Sequence, residues 1–241
     1  MDMNSGGKRE ILTARRRGAS TFAPCKTFSS QRFMARSEHT RKVPKSSARN
    51  ALPNRVRVIG GQWRGRLLAV PPLPAVRPSP DRVRETLFNW LQPTIPGARC
   101  LDLFAGTGAL GIEALSRGAA EVVFVDREPQ IGRHLRETLE TLRADNASVH
   151  VMDAVQFLQG AARPFDVVFL DPPFASDLLV GIFERLALGW LAPEAFVYAE
   201  CSADKGLPAL PAGWQVHRTK RAGQVGYHLL RVIAAAPEGI P

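Results

Sequence analysis

The segment from Cys100 to Asp126 constrains this chain more than any other. It begins with the short apolar run Cys100-Leu101-Asp102-Leu103-Phe104 and continues through Ala105-Gly106-Thr107-Gly108-Ala109-Leu110-Gly111 into a helical pattern. It closes on a second run, Glu121-Val122-Val123-Phe124-Val125-Asp126. Strand, glycine turn, helix and strand in that order form a βαβ unit, which needs parallel strands covered by helices. A third apolar run, Phe165-Asp166-Val167-Val168-Phe169-Leu170, reads as another buried strand of the same sheet and is stopped by Asp171-Pro172-Pro173-Phe174. Two consecutive prolines cannot continue a central strand, so Asp171 falls at the strand's carboxyl end, where open α/β sheets bind ligands.

Each landmark has a chemical reading. Gly106 and Gly108 permit backbone angles and a close ligand approach that a Cβ would block, and the helix start beyond them offers free N–H groups. Asp126 lies twenty residues after Gly106, the spacing expected of a carboxylate that accepts ribose hydroxyls. Gly106-x-Gly108-x-x-Gly111 also matches the dinucleotide fingerprint, so a nicotinamide oxidoreductase competes. Against it, Asp102 would face a pyrophosphate badly but suits the ammonium of an amino acid moiety. Asp153, after Val149-His150-Val151, suits an adenine amino group, and equally a helix cap. Asp171-Pro172-Pro173-Phe174 has no part in hydride transfer. Its carboxylate and carbonyls beside an aromatic ring suit an exocyclic amine on a flat base. Together these features favour S-adenosylmethionine over a dinucleotide. Asp166 reads as a turn residue and is not nominated.

The chain resembles the bacterial 16S ribosomal RNA guanine-N2 methyltransferase family known as RsmD. The blocks that carry the resemblance lie between about Arg57 and Val232. They are Arg57-Val-Ile-Gly-Gly-Gln-Trp-Arg-Gly-Arg66, Arg77-Pro-Ser-Pro-Asp-Arg-Val-Arg-Glu-Thr-Leu-Phe-Asn-Trp90, Leu101 to Leu110, Asp171 to Phe174 and Ala222-Gly-Gln-Val-Gly-Tyr227. The resemblance implies an α/β, Rossmann-like, seven-stranded S-adenosylmethionine-dependent methyltransferase sheet with a small amino-terminal hairpin and helix extension. It implies a cofactor pocket around Asp102, Phe104, Gly106, Gly108, Asp126 and Asp153, and a catalytic turn of Asp171, Pro172, Pro173 and Phe174. The implied target is the N2 amine of one guanine in 16S ribosomal RNA, free or in a small-subunit assembly intermediate. Adenine N6 or cytosine N4 amines of RNA or DNA are the alternative targets, and a non-catalytic RNA-binding assembly factor is the alternative role.

Charge divides the chain of 241 residues. Residues 1–54 hold twelve Lys or Arg against three acids, whereas residues 55–241 hold twenty against nineteen. The leader is expected to be disordered, serving as a nucleic-acid tail, a transit-like segment or translated sequence upstream of a start at Met34. A dispensable or mis-assigned leader is the preferred reading. Residues 55–241 are expected to form the methyltransferase domain, with 55–96 contacting RNA and 97–241 as the catalytic core. In the first part, Arg57 to Val70 suits a hairpin with Trp63 as a stacking surface, and Ser79 is expected to cap a helix that starts at Pro80. Arg64, Arg66, Arg82 and Arg84 are the candidate phosphate contacts, clamped over the catalytic mouth.

The remainder reads as scaffold. Helices are expected over Gln130 to Leu142 and Leu178 to Leu191, a strand over Ala195 to Glu200, and a terminal pair over Trp214 to Thr219 and Tyr227 to Ile233. Cys25, Cys100 and Cys201 lack metal spacing, which suits a reducing cytoplasm and a site without metal. No uncharged stretch is long enough to span a bilayer, and a monomer is expected.

Overall fold

The computed structural model describes residues 55–71, 79–173 and 178–233. The leader and Phe174 lie outside the described residues. The chain begins with β1 (Arg55–Arg57) and β2 (Leu67–Ala69), an antiparallel ribbon, followed by α1 (Asp81–Trp90). Next come β3 (Arg99–Asp102), α2 (Ala109–Ser116), β4 (Glu121–Asp126), α3 (Pro129–Leu142), β5 (Ala147–Val151), α4 (Ala154–Phe157) and β6 (Phe165–Leu170). The rest is α5 (Leu178–Leu186), β7 (Leu191–Ser202), β8 (Trp214–Ala222) and β9 (Val225–Val232).

Seven strands form one sheet in the order β5-β4-β3-β6-β7-β9-β8. The first five run parallel, and β9 lies antiparallel to both β7 and β8. Parallel strands are buried on both faces, and the side chains alternate accordingly. Cys100, Val122, Phe124, Val167, Phe169 and Tyr198 join a core layer with α1, α2, α3 and the ribbon. Leu101, Val123, Val125, Val168, Leu170 and Val197 join the opposite layer with α4 and α5. Cys100 and Cys201 are buried free thiols within these layers.

The amino-terminal ribbon packs on α2 through polar bonds as well as apolar contacts. Glu113 of α2 is fully buried and accepts the N–H groups of Ile59 at 2.7 Å and Gly60 at 2.8 Å. Ser116 accepts from the Trp63 N–H at 3.0 Å, and its carbonyl accepts from Gln62 at 2.7 Å. Gly61 adopts φ +76°, and a Cβ there would lie 1.7 Å from the Ser116 carbonyl oxygen, so only glycine lets the loop lie this close. Trp63 is 8% exposed and belongs to the core, which corrects its reading as a stacking surface.

Three boundaries depart from the sequence expectation. Pro80, not Ser79, occupies the cap position of α1, and no side chain caps that helix. The helix after the Asp171-Pro172-Pro173 corner stops at Leu186, and β7 already begins at Leu191. The last two strands extend to Ala222 and from Val225, so only Gly223 and Gln224 connect them, with Gly223 at φ +61°.

Candidate active site

Strand order reverses at β3. The chain builds outward from β3 through β4 to β5, then returns to lay β6 on the other side of β3. Such a reversal opens a crevice at the carboxyl ends of the two central strands. Asp102 is in register with Phe169, so Asp171 lies two residues further along the neighbouring strand direction. The glycine turn and the proline corner therefore face the same crevice.

On the β3 side, Gly106 and Gly108 have φ +49° and +74°. A Cβ on Gly108 would meet Leu135 Cδ2 at 2.5 Å, and one on Gly111 would meet the Phe124 ring at 2.2 Å. The third glycine thus lets α2 pack closely on β4. Asp102 is 3% exposed, and its Oδ2 accepts from the Gly111 N–H at 3.0 Å. Burial pushes its carboxyl up to about 7, against the lowering effect of the Gly111 N–H, and Asp126 adds to the rise. Among the described residues no Lys or Arg side chain pairs with this buried carboxyl, which suits it to take a cationic group. Phe104 is half-buried against the α4 and α5 layer.

Asp126 is engaged within the turn itself. Its Oδ2 accepts from the Gly106 N–H and its Oδ1 from the Glu128 N–H, both at 2.9 Å. Each oxygen keeps a second acceptor direction. Asp153 caps α4, where its Oδ1 accepts from Val155 N at 2.8 Å and Gln156 N at 3.4 Å, and it is otherwise exposed. Both acids stand at the carboxyl ends of β4 and β5, beside the turn.

On the β6 side, Asp171 is half-buried, Pro172 is buried and Pro173 is exposed. Two further groups converge on Asp171. The Ser79 hydroxyl lies 3.4 Å from Asp171 Oδ2 and 3.1 Å from Glu200 Oε1, and the Tyr198 hydroxyl donates to the same Glu200 oxygen at 2.7 Å. Ser79 is therefore a site residue and not a helix cap. Burial, then Glu200, then Asp102 hold the Asp171 carboxyl well above the usual carboxylate range. Glu200, 4% exposed at the carboxyl end of β7, was not nominated from sequence. An acid inside the apolar run Ala195-Phe-Val-Tyr-Ala-Glu200 is the same signal that singled out Asp102.

The four nominated arginines separate. Arg82 is exposed on the first turn of α1, three residues beyond Ser79. Arg84 is 1% exposed, which corrects its assignment as a phosphate contact. It donates to the Arg57 carbonyl at 2.8 Å and to Asp81 at 2.6 Å, and pairs with Glu113 at 3.7 Å. Arg64 and Arg66 are exposed, but their loop is held by Glu113 and Ser116, at the end of α2 away from the glycine turn. The structure does not bring them to the mouth. Instead β8 presents His217, Arg218, Lys220 and Arg221 on an exposed edge. Lys220 is in register with Tyr227, which is in register with Glu200. A basic edge thus flanks the acid cluster two strands away.

A separate cavity of about 430 Å³ lies against β4 and β5, lined by Val123, His150, Met152, Phe157, Phe165 and Trp190. It holds neither the glycine turn nor the proline corner, so the chemistry locates the site at the strand reversal.

Comparison with known proteins supports the same reading. Residues 56–231 match the family model described as Conserved hypothetical protein 95. The ribosomal RNA small subunit methyltransferase D of Escherichia coli strain K12 is 51% identical over 175 residues, covering 72% of this chain and 88% of the relative. That of Haemophilus influenzae is 44% identical over 179 residues, covering 72% and 92%. Among solved structures, the Escherichia coli protein yhhF, a candidate methyltransferase, superposes with a TM-score of 0.71 at 48% identity, covering 76% of this chain and all of that one. The glycine turn, the proline corner and the seven-stranded order all fall inside the matched span, and the chain belongs to the Conserved hypothetical protein 95 family, that of the RsmD methyltransferases.

Proposed function

We propose that this protein methylates the exocyclic N2 amine of a guanine in small-subunit ribosomal RNA, using S-adenosylmethionine. The observation that carries this reading is the placement of Asp102 and Asp171 at the carboxyl ends of adjacent parallel strands, on one crevice. When bound, S-adenosylmethionine supplies an electrophilic methyl group on a sulfonium. The residues present fit it. Asp102 would hold the ammonium of its amino acid part, beside a turn whose left-handed backbone at Gly106 and Gly108 only glycine adopts readily. Asp126 and Asp153 would offer their remaining acceptor directions to the ribose hydroxyls and the adenine amine, and half-buried Phe104, two residues before Gly106, would line the same pocket.

The acceptor side follows from the amine itself. A guanine N2 lone pair is delocalised into the ring, so the nitrogen must be turned toward the donor and freed from conjugation. Asp171 and a carbonyl of the Pro172-Pro173 turn accept its two N–H bonds, which localises the lone pair and relieves the charge that builds on nitrogen. Phe174 provides the stacking face for the base in this reading. Holding nitrogen and methyl carbon in line adds the proximity contribution.

The substrate is 16S ribosomal RNA or a small-subunit assembly intermediate, taken by a monomer. Arg82 and the exposed basic edge of β8 form the RNA path. Lys220 Nζ lies 5.9 Å from the Trp90 ring, which itself stacks on Tyr227 at 5.8 Å, giving cations beside an aromatic surface near the mouth.

The test is methylation of ribosomal RNA with a labelled donor, followed by mass spectrometry of the nucleosides. N2-methylguanosine is expected. Asp171→Ala should cut the rate at least about a hundredfold while S-adenosylhomocysteine affinity stays within about threefold. A near-normal rate in the alanine variant, or methylation of another base, contradicts the proposal.

A further inference from the structure

The Asp171, Ser79 and Glu200 oxygens form a chain that hydrogen-bond acceptance alone does not explain. One hydroxyl stands between two carboxyl groups, 3.4 Å from Asp171 Oδ2 and 3.1 Å from Glu200 Oε1. A hydroxyl carries a single proton and two lone pairs. With both carboxyls ionised it can serve only one of them, and the two negative charges repel. With one proton added, the chain closes: one carboxyl donates to Ser79, and Ser79 donates to the other. Among the described residues, the groups that face the chain are Asp102 from β3, Tyr198 and Cys201 from β7 and, behind Tyr198, Tyr227 from β9, with the Arg84 guanidinium of α1 approaching at the Ser79 carbonyl. Ser79 is itself fixed, because Arg84 Nε donates to its carbonyl at 3.3 Å.

Methyl transfer to an amine leaves a proton to be lost. As the new N–C bond forms, the donor's S–C bond breaks with its electron pair going to sulfur, and nitrogen must shed one of its two protons. An ordinary aspartate is a weak base for that task, whereas a carboxylate beside a second one holds a proton more tightly.

We propose that Asp171, Ser79 and Glu200 together accept the proton shed by the target nitrogen, with Ser79 and Glu200 as positioning residues that act through Asp171. This rests on the amine-methylation reading above and deepens it. Glu200 supplies the neighbouring negative charge that makes Asp171 more basic. Ser79 bridges the two so that the proton, once taken, is held between them. The Tyr198 hydroxyl steadies Glu200 from the far side.

Single-turnover rates measured against pH, at saturating donor and RNA, read this directly. Glu200→Gln removes the like charge, so the acid limb of the profile should move to lower pH and the plateau should fall about tenfold or more. Ser79→Ala removes a donor to Asp171, so its acid limb should move to higher pH, and Ser79→Thr should restore the wild-type profile. Carboxyl ¹³C titrations of the free protein give a second readout that needs neither donor nor RNA. Asp171 and Glu200 should titrate as a coupled pair in the wild type, and Asp171 should titrate alone at lower pH in Glu200→Gln. Variants that lower the rate equally at every pH, or an Asp171 titration unmoved by Glu200→Gln, would overturn the proposal. Failure of the wild type to methylate any RNA would count against the function proposed above, and the titrations would still decide whether the chain exists.

Discussion

At the scale of single residues, two buried acids, Asp102 and Glu200, stand with Asp171 in the candidate site, and of these two only Asp102 was legible. Asp102 stood out because an acid inside an apolar strand is costly without a partner. Glu200 sits in an equally apolar strand, but no glycine turn or proline pair marks it, and its partner Ser79 is 121 residues away in sequence. Asp102 also links function to stability. Its folded-state carboxyl, held up to about 7, keeps a proton more tightly than the unfolded chain does. Its contribution to folding is therefore present below the ordinary carboxylate range and is lost as pH rises through about 7. Asp102→Asn keeps an oxygen acceptor for the Gly111 N–H and drops the charge. It should raise the melting temperature at pH 8 but not at pH 4, by differential scanning calorimetry. By isothermal titration it should weaken S-adenosylhomocysteine binding about tenfold or more. Wild-type affinity should strengthen as pH rises through about 7, and the variant's should not. A variant that binds as well as the wild type would remove Asp102 from the ammonium site.

At the scale of elements, strands and helices were legible because apolar periodicity is local, whereas docking was not. The basic cluster around Arg84 suggested a nucleic-acid surface, yet Arg84 turns inward to Glu113, on another helix. Sequence spacing gives no sign of a partner that only tertiary packing supplies. Arg84→Ala leaves the buried Glu113 without that cation and frees the Arg57 and Ser79 carbonyls. Arg117 still pairs with Glu113 at 2.7 Å, so the loss should be about 2–3 kcal/mol in urea unfolding. A loss below about 1 kcal/mol would mean the pair does not hold the ribbon, α1 and α2 together. For β8 the reverse holds: it was read as scaffold, but its exposed edge is basic. Arg218→Ala combined with Lys220→Ala should weaken RNA binding and lower the salt dependence of log K by roughly 1.5, with cofactor affinity unchanged. An unaltered salt slope would place the RNA path elsewhere.

At the scale of the whole molecule, one topological event organises the chemistry. The return of the chain from β5 to β6 sets the glycine turn and the proline corner side by side, and β7 and α1 bring Glu200 and Ser79 to the same place. The sheet class was readable from the βαβ pattern, and the family from its motif blocks. How the extension docks on α2 was not, because it depends on buried polar bonds between distant segments. Among the described residues no helix is long and apolar enough to cross a membrane. The most direct measurement is a crystal structure with S-adenosylhomocysteine bound. Its amino group should lie against Asp102, and its sulfur should face Asp171 across open space the width of a nucleobase. An adenosyl group seated instead in the cavity between Phe157 and Trp190, or a sulfur walled off from Asp171, would contradict the account.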